Sequence, residues 1–305
     1  MGEFELIDRY FRRTRPASAR VPLGVGDDCA LIAPAPGMQL AVSSDLLLEG
    51  RHFLSTVDPA RLGHKALAVN LSDLAACGAR PLGFTLALAL PAVEEAWLEG
   101  FSRGLFALAD EHGCELVGGD TTRGPLAICI TVFGEVPPGQ ALLRSGARAG
   151  DDLYVSGTVG DARLALEVFR GTLSVPAPLF ELARDRMERP TPRVALGQAL
   201  RGLATAAVDV SDGLLGDLGH VLRQSRVGAT IQADLALPLL ASRTKAGSPA
   251  DLPEEATQLD YVLAGGDDYE LLFTVPPRRQ GRVRPVIRQR RGVTITRLGR
   301  LSTSP

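Results

Sequence analysis

The amino-acid sequence predicts an α/β (α+β) protein built as two domains, and three observations lead there. Strand-like and helix-like segments alternate along the whole length, a pattern that excludes an all-helical bundle and a plain sandwich. The chain has 305 residues, and domains run roughly 100 to 200 residues, so one large or two ordinary domains fit. A Pro/Gly-rich connector, "PPGQ" at 137–140, separates a β-branched run from a fresh strand, turn and helix. The sequence therefore divides into an N-terminal domain over 1–138 and a C-terminal domain over 139–305.

The elements follow in order. "MGEFELIDRYFRR" carries acids among its apolar residues and lacks the basic-then-apolar order of a secretory signal, so it reads as an amphipathic helix. "MQLAVSSD" reads as a strand ending at Ser43-Ser44-Asp45, "RLGHKALAVNLSDLAACGA" as a long apolar helix and "FTLALAL" as a second strand. "EEAWLEGFSRGLFALADEHG" is an amphipathic helix stopped by Gly113, "ELVGGD" a short strand running into a glycine turn, and "LAICITVFGEV" a strand that closes the first half. After the connector come strand, turn and helix in "DLYVSGTVGDARLALEVFRG", helix "RVALGQALRGLA", strand "AAVDVSD", helix "GLLGDLGHVLRQS" and strand "GATIQADL". The stretch 241–256 is the most loop-like. "GGDDYELLFTV" is a glycine-acid turn feeding a last strand.

Composition excludes several classes. A net charge of -2 leaves no electrostatic footprint for nucleic acid. The basic run "RRQGRVRPVIRQRRG" at 278–292 reads as a solvated helix face with Val283, Val286 and Ile287 turned inward. No apolar run approaches the roughly 20 residues that a bilayer demands, so no membrane partner is expected and the cytoplasm is the expected location. Cys29, Cys77, Cys114 and Cys129 are widely spaced without a CxxC, which gives neither a zinc ribbon nor a disulfide framework and leaves buried free thiols as the expectation. His52, His64, His112 and His220 show no ligand spacing, and His112, just before Gly113, fits a partner for a helix C-terminus.

The chemistry-bearing pattern is acidic. Asp28, Asp45, Asp120, Asp209, Asp212 and Asp267 fall in or beside turns at the expected strand ends, and Ser43, Ser44 and Ser211 add neutral oxygens. Asp73 lies inside the apolar helix, where a charge is costly unless it is paired or on a metal. Asp27 and Asp28 in "GVGDDCALI" are adjacent. Two such charges about 4 Å apart repel by roughly 4 kcal/mol at an effective dielectric near 20, so water, a hydrogen-bonded turn or a cation must relieve them. Oxygen donors without a His or Cys set suit hard cations such as Mg2+, which share phosphate oxygens with a nucleotide. Capping or an Asx turn competes for each single residue. It is an adequate account of Asp212 before "GLLGDL", but not of Asp73 or of the adjacent pair.

Two other readings fail on the letters. "DVSDG" at 209–213 has glycine fifth and His220 twelfth, which is not a calcium loop. The only lysines, Lys65 and Lys245, are not in a Gly-Lys-Ser/Thr loop. A nucleotide phosphate here would have to be balanced by metal ions and arginine.

Seven stretches, "GVGDDCALI", "SSDLLLEGRHF", "HKALAVNLSDLAACGA", "GGDTTRGPL", "LRSGARAGD", "VDVSDGLLGDL" and "GGDDYELLFTV", stand in the order and spacing of one family. The sequence resembles the thiamine-monophosphate kinases over nearly its whole length. The resemblance implies the two-domain fold of aminoimidazole ribonucleotide synthetase and a homodimer formed through the N-terminal domains. It implies transfer of the γ-phosphoryl group of ATP to thiamine monophosphate with several Mg2+ ions.

Carried over by motif, the metal ligands fall on Asp28, Ser43, Ser44, Asp45, Asp73, Asp120, Asp209 and Asp212, with Asp45, Asp73 and Asp209 at the catalytic centre. Nucleotide contacts fall on Gly119, Asp120, Arg144 and Ser211, and thiamine contacts on His52 and on Asp267, where the family commonly has glutamate. With metal contact on Asp28, Asp27 is left as a turn residue beside Gly26. The family usually continues past the last strand into an aromatic-rich tail that helps cover the thiamine ring, whereas this sequence stops at "GRLSTSP". The alternatives are aminoimidazole ribonucleotide synthetase, which lacks the "NLSDLAACGA" form of the helix, and a metal- or nucleotide-binding homologue without turnover.

Overall fold

In a computed structural model, residues 2–13, 18–283 and 293–303 are described. The chain divides into two compact units, Met1–Leu74 with Ala79–Gly139, and Ala75–Gly78 with Gln140–Pro305.

The first unit starts with a short helix α1 (Glu3–Leu6) that widens into a π-helical turn over Ile7–Phe11. Strand β1 (Gln39–Leu48), helix α2 (Pro59–Ala76), β2 (Arg80–Leu90), α3 (Glu95–His112), β3 (Glu115–Arg123) and β4 (Ala127–Val136) follow. The four strands form one sheet in the order β1-β4-β2-β3, antiparallel except for β2 with β3. Side chains alternate across a strand, so Phe84, Leu86, Leu88, Ile128, Ile130 and Val132 are buried with the apolar residues of α2 and α3. Gly113, in the left-handed conformation, ends α3 as the sequence predicts.

Two expectations change here. Ser43, Ser44 and Asp45 lie in the middle of β1, not at its end, because pairing with β4 continues to Leu48↔Ala127. Gly118, Gly119 and Asp120 lie inside β3, not in a turn. Ladder bonding uses the backbone and needs no side chain, so Gly119↔Leu86 and Asp120↔Ala87 extend the pairing.

The second unit holds β5 (Asp152–Ser156), α4 (Asp161–Phe169), α5 (Ala177–Glu188), α6 (Val194–Leu200), β6 (Ala206–Asp209), α7 (Leu214–Ser225), β7 (Gly228–Ile231), α8 (Ala233–Ala236), α9 (Ala241–Lys245), α10 (Glu255–Ala264), β8 (Leu271–Val275) and β9 (Ile295–Ser302). Its sheet runs β6-β8-β5-β9-β7, antiparallel throughout. Leu153, Val155 and Leu272 pack with Leu164, Ala183, Leu218 and Val262 from four helices in one core. The stretch read as a loop, 241–256, holds α9 and a 3-10 turn whose Ser248 and Asp251 make a reciprocal cap. Of the basic run, Val283 is buried as expected, while Val286 and Ile287 lie outside the described residues.

Candidate active site

The register of β1 decides which of its polar residues meet helix α2. Ser43 stands opposite Val132 and Asp45 opposite Ile130, both on the helix-covered face. Ser43 Oγ donates to Asp73 Oδ2 at 2.5 Å, and the Asp45 amide donates to Asn70 Oδ1 at 3.1 Å. Asn70 is buried and anchored by Nδ2 donating to the Ala66 carbonyl at 3.0 Å. Burial, and then the nearby Asp73 charge, push the Asp45 carboxyl up to about 6. Asn70 carried no signal as a ligand, but it sits one turn before Asp73 on the same face of α2. Ser44 faces the other way: its hydroxyl lies 2.9 Å from Thr131 Oγ1 and donates to the Ile130 carbonyl at 3.1 Å. The two serine hydroxyls therefore serve different faces of the sheet.

Asp28 and Asp120 lie elsewhere in the same unit. Both line a cavity of about 650 Å3 together with Asp27, Gly26 and Gly119, a volume in the range of small-molecule sites. Gly119 has φ +148°, and a Cβ there would lie 1.8 Å from the Leu86 carbonyl oxygen, so this wall is bare backbone. Asp27 Oδ1 accepts the Asp28 amide at 2.8 Å, and the Asp28 side chain is exposed. His52 follows the end of β1, where its Nδ1 accepts the Leu48 amide at 3.0 Å.

In the second unit the acid-rich loops after β6 and before β8 run side by side. The Asp267 amide donates to the Ser211 carbonyl at 2.7 Å and the Tyr269 amide to the Val210 carbonyl at 2.8 Å. Asp209, Ser211 and Asp267 are thereby held on adjacent backbones. Gly266, Asp267 and Tyr269 all adopt positive φ, 74°, 65° and 54°, a strained run of the kind found where side chains must be aimed.

Asp212 does not cap α7, whose N-cap is Gly213 with no side-chain cap. Asp217, inside the helix, instead accepts the Ser211 and Asp212 amides at 3.0 Å each, and burial raises its pKa. This turns the capping explanation around and leaves the Asp212 side chain exposed. Arg144 is exposed, and its carbonyl accepts from Ser225 Oγ at the end of α7 at 3.1 Å.

Beneath these loops lies a charged cluster that sequence reasoning missed. Glu270, fully buried, accepts from Arg193 Nε at 2.6 Å, Arg186 Nη2 at 2.8 Å and Ser156 Oγ at 2.6 Å. Asp268 Oδ1 accepts the Gly160 amide at 2.9 Å, and burial lifts its carboxyl well above the ordinary range. Within "GGDDYE" the alternation points Asp268 and Glu270 inward, which was the available signal.

Among the described residues no three His, Cys, Asp or Glu side chains converge closely enough to hold a metal by themselves. Asp45 and Asp73 with Ser43, and Asp28 and Asp120 as linings of one cavity, still fit Mg2+, which is usually bound through one or two carboxylates with waters and substrate phosphates completing the shell.

Family models for AIR synthase related proteins match this chain twice, the N-terminal domain over 26–136 and the C-terminal domain over 148–304. The fold is thus that of an AIR synthase related protein. Within that class the chain belongs to the thiamine-monophosphate kinase family. It is 48% identical over 302 residues to the thiamine-monophosphate kinase of Salmonella typhimurium, covering 99% of this chain and 90% of that protein. Its fold is similar to the crystal structure of thiamine-monophosphate kinase from Stenotrophomonas maltophilia K279a, with a TM-score of 0.87, 46% identity, and 99% and 94% of the two chains covered. A structure described as AaThiL complexed with AMPPCP and TMP matches with a TM-score of 0.74 and 31% identity over 88% of this chain and 83% of that one. No helix among the described residues is long and apolar enough to cross a membrane.

Proposed function

We propose that the protein transfers the γ-phosphoryl group of ATP to thiamine monophosphate, forming thiamine diphosphate and ADP. The observation that carries this reading is identity to thiamine-monophosphate kinases over nearly the whole chain, joined to carboxylates grouped as phosphate-metal chemistry requires. A monoester phosphate has its second pKa near about 6 and is largely dianionic at neutral pH, so its oxygen can attack without a general base. That oxygen forms the new bond to the γ-phosphorus while the bond from phosphorus to the β,γ-bridging oxygen breaks, and ADP leaves with that oxygen. Catalysis then consists of positioning and charge stabilisation.

Asp28, Asp120, Ser43, Asp45 and Asp73 in the first unit, and Asp209 and Asp212 in the second, are the residues that would hold Mg2+. Ser44, expected among them, is left out because its hydroxyl turns to the other face of the sheet, toward Thr131 and the Ile130 carbonyl. When bound, Mg2+ supplies neutralisation of the facing phosphates. Gly119 offers bare backbone to the nucleotide, with Arg144 and Ser211 as further contacts. His52 and Asp267 are assigned to the thiamine end, Asp267 on a loop whose geometry fixes its direction. Incubation with Mg2+, ATP and thiamine monophosphate tests the reading by product analysis. Asp28→Asn is expected to lower kcat/KM at least tenfold more than Asp27→Asn, because Asp27 is engaged with a backbone amide; the reverse ranking in steady-state kinetics would move the ligand to Asp27.

The working unit is proposed to be a homodimer formed through the first unit. The support is the outer face of β1, where Leu40, Val42, Leu46 and Leu48 are 48%, 56%, 50% and 39% exposed on the side away from α2. A row of half-exposed apolar side chains on a sheet face marks an interaction surface. Val42→Glu combined with Leu46→Glu is expected to halve the mass measured by light scattering, and an unchanged mass would remove this face from the interface. The cytoplasm is the proposed location, supported by four free cysteines, of which Cys114 alone is buried and Cys29 is exposed, where burial was expected.

A further inference from the structure

The cavity that holds Asp28 and Asp120 also holds a cation with no role so far. We propose that Arg12 is a phosphate ligand of the nucleotide site, exchanging its ion pair with Asp8 for a phosphate oxygen as the triphosphate enters. This rests on the nucleotide reading of that cavity given above.

The N-terminal segment carries three arginines with described partners, and two of them fasten it to α3. Arg9 pairs with Glu95 at 3.0 Å, and Arg13 pairs with Asp110 through two bonds of 2.7 and 2.9 Å while lying 4.6 Å from the centre of the Phe106 ring. Arg12 sits between these anchors and lines the cavity instead. The π-helical turn ends there, with the Arg12 amide donating to the Ile7 carbonyl at 2.8 Å. Its guanidinium lies against the backbone of Gly26, immediately before the two aspartates. A Cβ on Gly26 would be 3.2 Å from Arg12 Nη2, and Gly26 has φ +122°, so this glycine makes room for the arginine as well as for the turn.

Charge decides what the arginine is for. The cavity's charged lining among the described residues is four carboxylates, Asp8, Asp27, Asp28 and Asp120, and one cation, Arg12. A polyphosphate cannot enter such a lining on divalent cations bound to Asp28 and Asp120 without still meeting Asp8 and Asp27. Arg12 offsets that remainder, and its planar fork matches phosphate oxygens. Its present partner holds it weakly: the Arg12 to Asp8 bond of 3.0 Å joins two side chains that are each more than half exposed, and such pairs contribute roughly 0 to 1 kcal/mol.

The test is calorimetric titration of the protein with AMPPCP in the presence of Mg2+. Arg12→Gln is expected to weaken binding about tenfold, a change of about 1.4 kcal/mol, with the melting temperature without nucleotide and the KM for thiamine monophosphate unchanged. Asp8→Asn is expected to tighten binding two- to fivefold, and the part of this gain that comes from freeing Arg12 should be lost when Arg12→Gln is added, leaving only the relief of repulsion from Asp8. Arg12→Gln within twofold of the parent, in a protein whose Asp120→Asn variant binds weakly, overturns the assignment. A gain from Asp8→Asn that is undiminished in the double variant overturns the exchange with Asp8. Loss of effect at both Arg12 and Asp120 overturns the nucleotide reading of the cavity itself.

Discussion

Asp45→Asn is expected to abolish turnover while making the metal-free protein more stable. The loss in kcat should be on the order of 1000-fold, about 4 kcal/mol of transition-state stabilisation, since one ligand of a charge-neutralising site is removed. Stability moves the other way because Asp45 is a partly buried carboxylate beside Asp73, with its pKa raised to about 6 from an ordinary 3.8.

The sign follows from linkage. A carboxyl whose folded pKa is raised holds its proton more tightly when folded, so its ionisation destabilises the fold as pH rises from about 4 to about 6, and fully above that. At pH 8, in chelator, the Asn variant should melt roughly 2 to 4 °C higher, the shift expected for about 1 kcal/mol in a domain of this size. At pH 5 the difference should shrink, because the parent residue is then mostly protonated in the fold. Added Mg2+ should raise the parent melting temperature and do less for the variant. A variant that melts lower than the parent at pH 8 would remove Asp45 from a repelling pair, and full activity would remove it from the site.

The second large effect is on stability. Glu270 is 0% exposed, and its partners Arg186 and Arg193 are only 18% and 13% exposed. Glu270→Ala leaves two mostly buried guanidinium groups without their carboxylate partner and the Ser156 hydroxyl without its acceptor. Removing one member of a buried ionic cluster costs about 3 to 5 kcal/mol, which corresponds to a fall in melting temperature on the order of 10 °C. Arg193→Met together with Glu270→Leu should recover part of it, because the unpaired charge is what destabilises. A melting temperature within 2 °C of the parent in Glu270→Ala would show that the cluster is not what holds the loop carrying Asp267.

These two residues also mark what could be read in the letters. Asp73 was legible because a carboxylate in "LAVNLSDLAACGA" has no apolar explanation, and its neighbours Ser43 and Asp45 were legible by type. The division of labour between Ser43 and Ser44 was not. Ending β1 at Asp45 discards the alternation that places Ser43 and Asp45 on the α2 face and Ser44 on the other. Continued through Leu48, the same alternation exposes Leu40, Val42, Leu46 and Leu48 together.

Glu270 could not be found at all as an ion-pair partner, since Arg186 and Arg193 lie 84 and 77 residues away in sequence and pairing at that range is decided by topology. Asp212 shows the opposite limit. Its position before a helix was sufficient for a cap, and only the bonds that the Ser211 and Asp212 amides donate to Asp217 show that a carboxylate inside α7 ties down the preceding loop while Asp212 caps nothing. Elements made of backbone pairing, such as β3 through Gly118 and Gly119, were hidden because glycine reads as a turn residue until a partner strand is known.

The central claim, direct transfer from ATP to thiamine monophosphate, is tested most directly by phosphorus NMR of a reaction mixture holding the full chain, Mg2+, ATP and thiamine monophosphate. The account predicts ADP and thiamine diphosphate appearing in equal amounts, with no phosphate retained on the protein. ADP accompanied by inorganic phosphate and unchanged thiamine monophosphate, or a phosphorylated protein formed from ATP alone, would contradict it.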